Sequence, residues 1–559
     1  MSAVLVLGTL LFFGLAYPFH VRYQEQYQLF EWTSEYFGSV ASVPGGLADW
    51  TGRFLVQFFI YPWAGAFIVA LCLFALHRLV WHLFTVRTGL SYALSMVPSA
   101  LVFVFLLDDK ALISGVVALL FCLAVSSMVN CISDGRLRNV ISIVVIPLLY
   151  WIAGPLAVVS VLISLRKMKL VLWPFVLFVA AACPLLSQFV LHYSLKALLT
   201  GIHYYRYPLV LPAWLWGAAL ASVLCTYISL DEKTAVRPLV RWVVIPVTML
   251  AVVSVMVWGG MKKADHVKED LMAFDMMAHG SDWSGILELN KARPADKPLS
   301  VSMVNLALSM TDGLAGTMFG TFQSGVEGLF PAFVMNYSSP LPTSEIFWRL
   351  GMVNACQYYV FEAQEAIPDF QKSARCYQRL AQTNIVNGDY EVARKYLQAL
   401  ENTLFYRKWA RSAAALLWND QAVGADPECG PVRKFRCKEH DSWFKDSMID
   451  VLLEDLVEEN PDNTRAYDYL LAWGMLESDL DSFAAHLKVS DQPMPVYAQE
   501  AYMLHLIDKG VDISNPPTFV DSDVSRRFMV FINDMQARKN QAYMRNHHGS
   551  EYWYYSICR

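Results

Sequence analysis

Residues 240–289 read VRWVVIPVTMLAVVSVMVWGGMKKADHVKEDLMAFDMMAHGSDWSGILEL, and the change of composition inside this stretch decides the architecture. Up to Gly260 its only charge is Arg241. From Met261 onward lysine, aspartate and glutamate recur every few residues between apolar positions at helical spacing. About 20 apolar residues in a helix span the roughly 30 Å hydrocarbon core of a bilayer, so the chain leaves the membrane here. Working backwards, seven more apolar runs occupy 2–19, 55–76, 91–107, 111–130, 140–165, 170–191 and 207–229, beside 240–260. Working forwards, 261–559 is polar, patterned for helices and poor in strand alternation. The expected fold class is all-α: a polytopic transmembrane bundle over 1–260, then a soluble helical-repeat domain over 261–559.

Composition agrees. Of 559 residues only 17% are charged, against about 25% in soluble domains, and mean hydropathy is +0.35. The net charge of −5 and the lack of a long basic run argue against nucleic acid as a partner. The implied partners are the lipid bilayer and, through 262–559, another protein. The first run lacks a basic leader and a small-residue cleavage site, so it reads as a retained helix rather than a signal peptide.

The fifth run contains Pro147, Gly154 and Pro155. Each half is too short to cross alone, so a re-entrant hairpin with its tip near Trp151–Pro155 is expected. With the N-terminus cytoplasmic and this run turning back, the cytoplasmic side holds Arg78, Arg87, Arg136, Arg138, Arg166, Lys167, Lys169, Lys233, Arg237 and Arg241. The outer side holds Arg22, Arg53, Lys110, Lys196, Arg206, Lys262 and Lys263. Ten against seven follows the positive-inside rule and places the C-terminal domain outside the cytoplasm. If the run crosses fully, the balance becomes eight against nine and decides nothing. Ionisable residues are nearly absent within the runs, which weighs against an ion transporter.

The first outer loop, 20–54, places Tyr23, Tyr27, Phe30 and Phe37 at helical spacing before the break Pro44-Gly45-Gly46. This predicts an amphipathic helix in the membrane interface. Its acids carry the alternative reading. Glu25, Glu31, Glu35 and Asp49, with Asp108 and Asp109 in the next outer loop, could supply a general base or oxygen ligands for a metal. Membrane glycosyltransferases that use lipid-linked sugars place catalytic carboxylates in such loops, and the layout is similar to theirs. Asp108 and Asp109 read otherwise as the N-cap of the helix after them.

In the soluble part, FQKSARCYQRLAQTNIVNGDYEVARKYLQALENTL at 370–404 resembles a tetratricopeptide unit, two helices joined at Asn387-Gly388-Asp389. HGSDWSGILEL at 279–289 and WGMLESDLDSFAAHL at 473–487 echo it at irregular spacing. The stretch 424–441 reads as a polar insertion in which Cys429 and Cys437 flank Gly430-Pro431, and an oxidising compartment would favour a disulfide between them. A zinc site including His440 fits no standard spacing. No cofactor or metal motif is present, and the sequence leaves open whether the protein is an enzyme.

The phrases EQYQLF, PGGLADW and GRFLVQFF, with TNIVNGDYEVARKYL and LFYRKWA, resemble an uncharacterised family of bacterial polytopic membrane proteins carrying a tetratricopeptide-like C-terminal domain. The resemblance implies a bacterial inner-membrane protein of the envelope, with its C-terminal domain in the periplasm, serving protein interaction or assembly. It carries over no functional residue.

Overall fold

The computed structural model describes residues 2–201, 212–228, 238–311, 313–336, 338–367, 371–437, 448–488, 494–513, 516–549, 552–553 and 556. Arg206, Lys233, Arg237 and His440 of the sequence reading lie outside these. Every named element among the described residues is a helix. The chain forms two compact units. The first comprises Met1–Glu269 with two later segments, Pro368–Ala374 and Ala399–Lys408, and the second comprises the remainder. The first unit therefore runs slightly past the compositional break.

The protein is a multi-pass membrane protein. Within the first unit five elements are long and apolar enough to cross a membrane: Pro62–Leu83, Ile113–Asn130, Gly135–Leu165, Leu170–Val190 and Val240–Lys262. The count is six when the bent pair Ser2–Ala16 and Pro18–Glu25 is taken as one. Gly89–Phe105 and Ala213–Tyr227 are shorter apolar helices. All eight apolar runs thus contain apolar helix.

Length alone would let Gly135–Leu165 cross as one rod, but its two limbs lie side by side. Ile146 shares a buried cluster with Val161 and Leu165, and Ile143 packs on the same cluster. A straight helix would hold Ile146 and Val161 about 22 Å apart. The run therefore turns back at Gly154-Pro155, where Gly154 has φ +66°. After the turn, the Ser160 hydroxyl donates to the Cys122 carbonyl at 2.7 Å. At the end of the return limb Lys167 Nζ donates to the Asn130 carbonyl at 3.5 Å, and Arg166 donates to the Thr85 hydroxyl. The start and finish of the run thus share a face with the ends of Ile113–Asn130 and Pro62–Leu83.

The tip leaves a polar group unpaired, and the loop 20–54 satisfies it. Pro155 has no N–H, so the Trp151 carbonyl loses its helical donor. Gly45 N–H donates to that carbonyl at 2.8 Å, and Trp151 Nε1 donates to the Ala41 carbonyl at 3.1 Å. Gly45 reaches this position with φ +84°, and a Cβ there would stand 3.4 Å from Gly154 Cα. Gly45→Ala should therefore cost about 1–2 kcal/mol from backbone strain alone, read as a lower thermal midpoint of the detergent-purified protein. An unchanged midpoint would show that this turn bears no strain.

The sequence predicted one interfacial helix in this loop; the structure divides it. Pro18–Glu25 leaves the first apolar helix at an 80° bend. A second helix, Ser34–Ala41, starts at Thr33, whose extended backbone and side chain cap the Tyr36 N–H at 3.1 Å. A third follows at Gly46–Val56. Tyr23, Tyr27 and Phe30 are buried in the unit rather than turned to lipid, while Phe37 is exposed.

The ends of the first, third and last apolar runs meet on one face. Asp265 N–H donates to Tyr17 Oη at 3.0 Å. The Glu269 carboxylate accepts the Phe19 and His20 N–H groups, both at 2.7 Å. Lys268 pairs with Asp109. Ser2, by contrast, contacts His77 and Tyr92, near the other ends of their helices. If every other run crosses once, the fold-back at Pro155 is what lets the last run finish on the face opposite Ser2.

From His266 onward the three sequence echoes share one turn. The helices His266–His279, Ala374–Asn387 and Thr464–Glu477 are followed by Trp283–Ala292, Tyr390–Glu401 and Leu480–His486. A left-handed residue lies between them each time: Ser281, Gly388 or Ser478. The next residue is always aspartate, and its N–H donates to the carbonyl five residues back, at 2.9 Å from Asp282, Asp389 and Asp479 alike. This is a Schellman closure. The Asp282 and Asp479 carboxylates then cap the following helix, accepting the Gly285 and Ser482 N–H groups at 3.0 Å each.

Candidate functional site

The face that carries Glu25 and Asp109 is where the sequence placed its candidate acids. We place Pro18–Glu25 outside the membrane-crossing segments, because it lies beyond the bend and carries His20, Arg22, Gln24 and Glu25. Glu25 is buried, and the Tyr406 hydroxyl lies within 3.1 and 2.9 Å of its two oxygens. Burial pushes this carboxyl up to about 8, against the opposing effects of Tyr406 and Arg22, so it is largely protonated at neutral pH. His20 is likewise held neutral by burial, its pKa lowered to about 4, with Nε2 3.0 Å from the Leu106 carbonyl.

The other acids are engaged one by one. Glu31 lies 3.5 Å from Lys372, in the link before the second loop helix. Glu35 is exposed in the first turn of that helix. Asp49 pairs with Arg53 one helical turn away. Asp108 does not cap a helix as expected, since the next one starts at Ile113 with Leu112 before it; its carboxylate instead accepts the Lys110 N–H at 3.1 Å. Burial opposes the Asp109 charge, but Lys268, by charge and hydrogen bond, and Lys110 outweigh it and hold the carboxyl below its usual value.

Two of these acids line separate small cavities. Asp109, Gln24, Tyr27 and Gln28 line a cavity of about 30 Å³. Glu25, Gln28, Gln57, Thr403 and Tyr406 line a second of about 10 Å³. Gln28 borders both, and its amide donates to the Arg53 carbonyl at 2.8 Å. Spaces of this size hold about one or two water molecules, far below the roughly 300 Å³ of a small-molecule pocket. Among the described residues no three His, Cys, Asp or Glu side chains stand close enough to share a metal. Each space can hold water beside a single carboxyl; neither has room for a sugar.

Glu25→Gln keeps the acceptor for Tyr406 and replaces a group already neutral near pH 7. A carboxyl whose folded-state pKa is raised stabilises most fully below its unfolded value near 4.5, and that contribution is lost as pH rises through about 8. The variant should match the wild type below pH 4.5 and become the more stable of the two towards pH 8. Parallel thermal-melt series against pH would show this, and coincident curves would mean Glu25 ionises freely in the folded protein.

Sequence reasoning missed a second cluster, in the second unit. Arg375 and Arg379, one turn apart on the helix Ala374–Asn387, are both buried. Arg375 makes a fork to Asp275 at 2.5 and 2.8 Å and reaches Glu345 at 3.3 Å. Arg379 donates to Glu345 at 2.5 Å, reaches Glu428 at 3.5 Å and stacks over the Trp348 ring at 4.5 Å. His279 lies 2.9 Å from Glu345, and Trp348 Nε1 donates to Glu428 at 2.9 Å. Although burial opposes its charge, Arg379, His279 and Arg375 hold the Glu345 carboxyl well below its usual range. The available signal was the pair of arginines four apart among the apolar positions Cys376 and Leu380.

Cys429 and Cys437 are not bonded to each other. The helix Cys429–Phe435 occupies most of the stretch between them. Seven helical residues extend about 10 Å, whereas bridged cysteines have Cα atoms within about 7 Å. Cys429 is buried, and burial raises its thiol above the ordinary range.

Across residues 1–559 the chain matches the model of a family described as a family of unknown function, DUF6057. No curated protein and no solved structure matches it.

Proposed function

The chain belongs to the family of unknown function DUF6057, and from that premise we propose that it is a bacterial inner-membrane protein whose helical second unit recognises another protein outside the cytoplasm. The observation that carries this reading is the repeated helix–turn–helix construction, with one Schellman-and-aspartate turn at Ser281, Gly388 and Ser478. Helical repeats of the tetratricopeptide kind are built from such helix–turn–helix units, and their usual task is partner binding. Exposed apolar side chains in the same unit, among them Met335, Val334, Tyr358, Phe361 and Val392, supply contact area. The fold-back of the fifth run supports the outer location, because it is the arrangement in which basic loop residues favour a cytoplasmic N-terminus by ten to seven.

Glycosyl transfer from a lipid-linked donor is the second reading. The observation favouring it is that Gln28 borders both the cavity lined by Glu25 and the one lined by Asp109; the small volume of each weighs against it. A complementation assay in the source organism separates the two. Tyr358→Ala, Phe361→Ala and Val392→Ala together should abolish function while expression is retained. Glu25→Gln, Glu31→Gln, Glu35→Gln, Asp108→Asn and Asp109→Asn should leave it intact. The reverse pattern would replace the recognition reading with the enzymatic one.

A further inference from the structure

We propose that the groove between the first and last apolar helices of the membrane unit binds one acyl chain of an anionic phospholipid, with its headgroup at Lys262 and Lys263. The groove has a volume of about 410 Å³, within the range of ligand pockets. One wall is a stripe of Ile245–Lys262 that includes Met249, Met256 and Gly260. The other is Val4, Gly8 and Phe12 of the first helix, and Met96 and Phe103 lie between. Methionines adapt to a chain that flexes.

Three observations identify the occupant. The length fits: Met249 to Met261 is about 18 Å of helix, close to half the roughly 30 Å core, which is the reach of one chain in one leaflet. The groove opens to lipid, since Val253 and Val257 on its wall are exposed. The mouth is basic. Lys262 and Lys263 end the helix and are exposed, and His266 lines the groove there. Lys263 also lies over the Trp258 ring at 5.8 Å, and Trp258 packs against Trp214, as aromatic residues do at the headgroup level. Acidic side chains near the mouth are already committed: Asp109 to Lys268, Glu269 to backbone N–H groups and Asp265 to the Lys268 N–H at 2.9 Å.

Gly8 provides the test. A Cβ there meets nothing within 4 Å, so Gly8→Phe should fill the groove without disturbing the fold, and Gly8→Leu is a milder filling. Full-length protein, stripped of lipid in detergent, is titrated with phosphatidylglycerol and with phosphatidylcholine of identical chains, and binding is read by native mass spectrometry and by the rise in thermal midpoint. The wild type should retain phosphatidylglycerol in preference. Gly8→Phe should weaken both lipids at least about tenfold, and Lys262→Gln with Lys263→Gln should bring the two lipids to similar affinity, each basic residue near an anionic headgroup being worth a few-fold. Unchanged binding in a folded Gly8→Phe or Gly8→Leu variant would overturn the site. Equal retention of both lipids by the wild type would overturn the anionic headgroup.

Discussion

Replacing Glu345 by alanine is expected to destabilise the protein by about 3 kcal/mol, because it removes the carboxylate shared by two buried guanidinium groups and leaves Arg379 the more distant Glu428 as its carboxylate partner. Arg379 loses its 2.5 Å partner and Arg375 its second carboxylate, and neither can reach water without unpacking the helix Ala374–Asn387. Trp348 reports the event directly, since Arg379 stacks on its ring and Glu428 accepts its N–H. Chemical denaturation of the full-length protein in detergent, followed by tryptophan fluorescence, should show an earlier second-unit transition. Because the folded-state carboxyl lies well below 4.5, its contribution is present above the unfolded value and is lost only as pH falls below about 4.5 towards the folded value. The variant should therefore lose less stability than the wild type over that acid range. A loss under about 1 kcal/mol at pH 7 would mean that the network relaxes onto solvent.

Single cysteines at 136, 167 and 110, in a background without the native ones, should label in an all-or-none pattern with an impermeant maleimide on intact cells. Positions 136 and 167 flank the fold-back and lie towards Asn130 and Thr85, so they should react alike. Position 110 adjoins Asp109 and Lys268 on the opposite face and should behave in the opposite way. With the N-terminus cytoplasmic, 110 labels in intact cells and the other two only after lysis. Labelling of 136 and 167 from opposite sides would establish a full crossing and remove the charge argument for an outer second unit.

Much of the architecture was legible without coordinates, for reasons that are local. Arg241 is the one charge between Val240 and Gly260, and a bilayer-long apolar run needs no distant partner to be recognised. The break at Gly154-Pro155 was legible because proline removes a helical hydrogen bond wherever it sits. The turn at Asn387-Gly388-Asp389 was legible from its residues, and 279–289 and 473–487 as echoes of it; the left-handed residue and aspartate N–H closure that all three share came from the backbone geometry. The acids were legible as residues but not as a site, because spacing along the chain does not reveal what lies opposite. Glu31 and Glu35, four apart and expected on one helix, are separated by the Thr33 cap.

By itself, then, the sequence determined the division into an apolar and a polar half, the helical class of both and the places where helices stop, all set by composition and short-range backbone chemistry. Only the tertiary structure decided which distant groups meet. Gly45 meets the carbonyl that Pro155 leaves without a donor. Tyr406 closes over Glu25 and keeps it out of water. Arg375 and Arg379 become interior charges because Asp275 and Glu345 arrive from other helices. An unpaired polar group costs free energy wherever it is buried, but which group relieves it depends on how the whole chain packs.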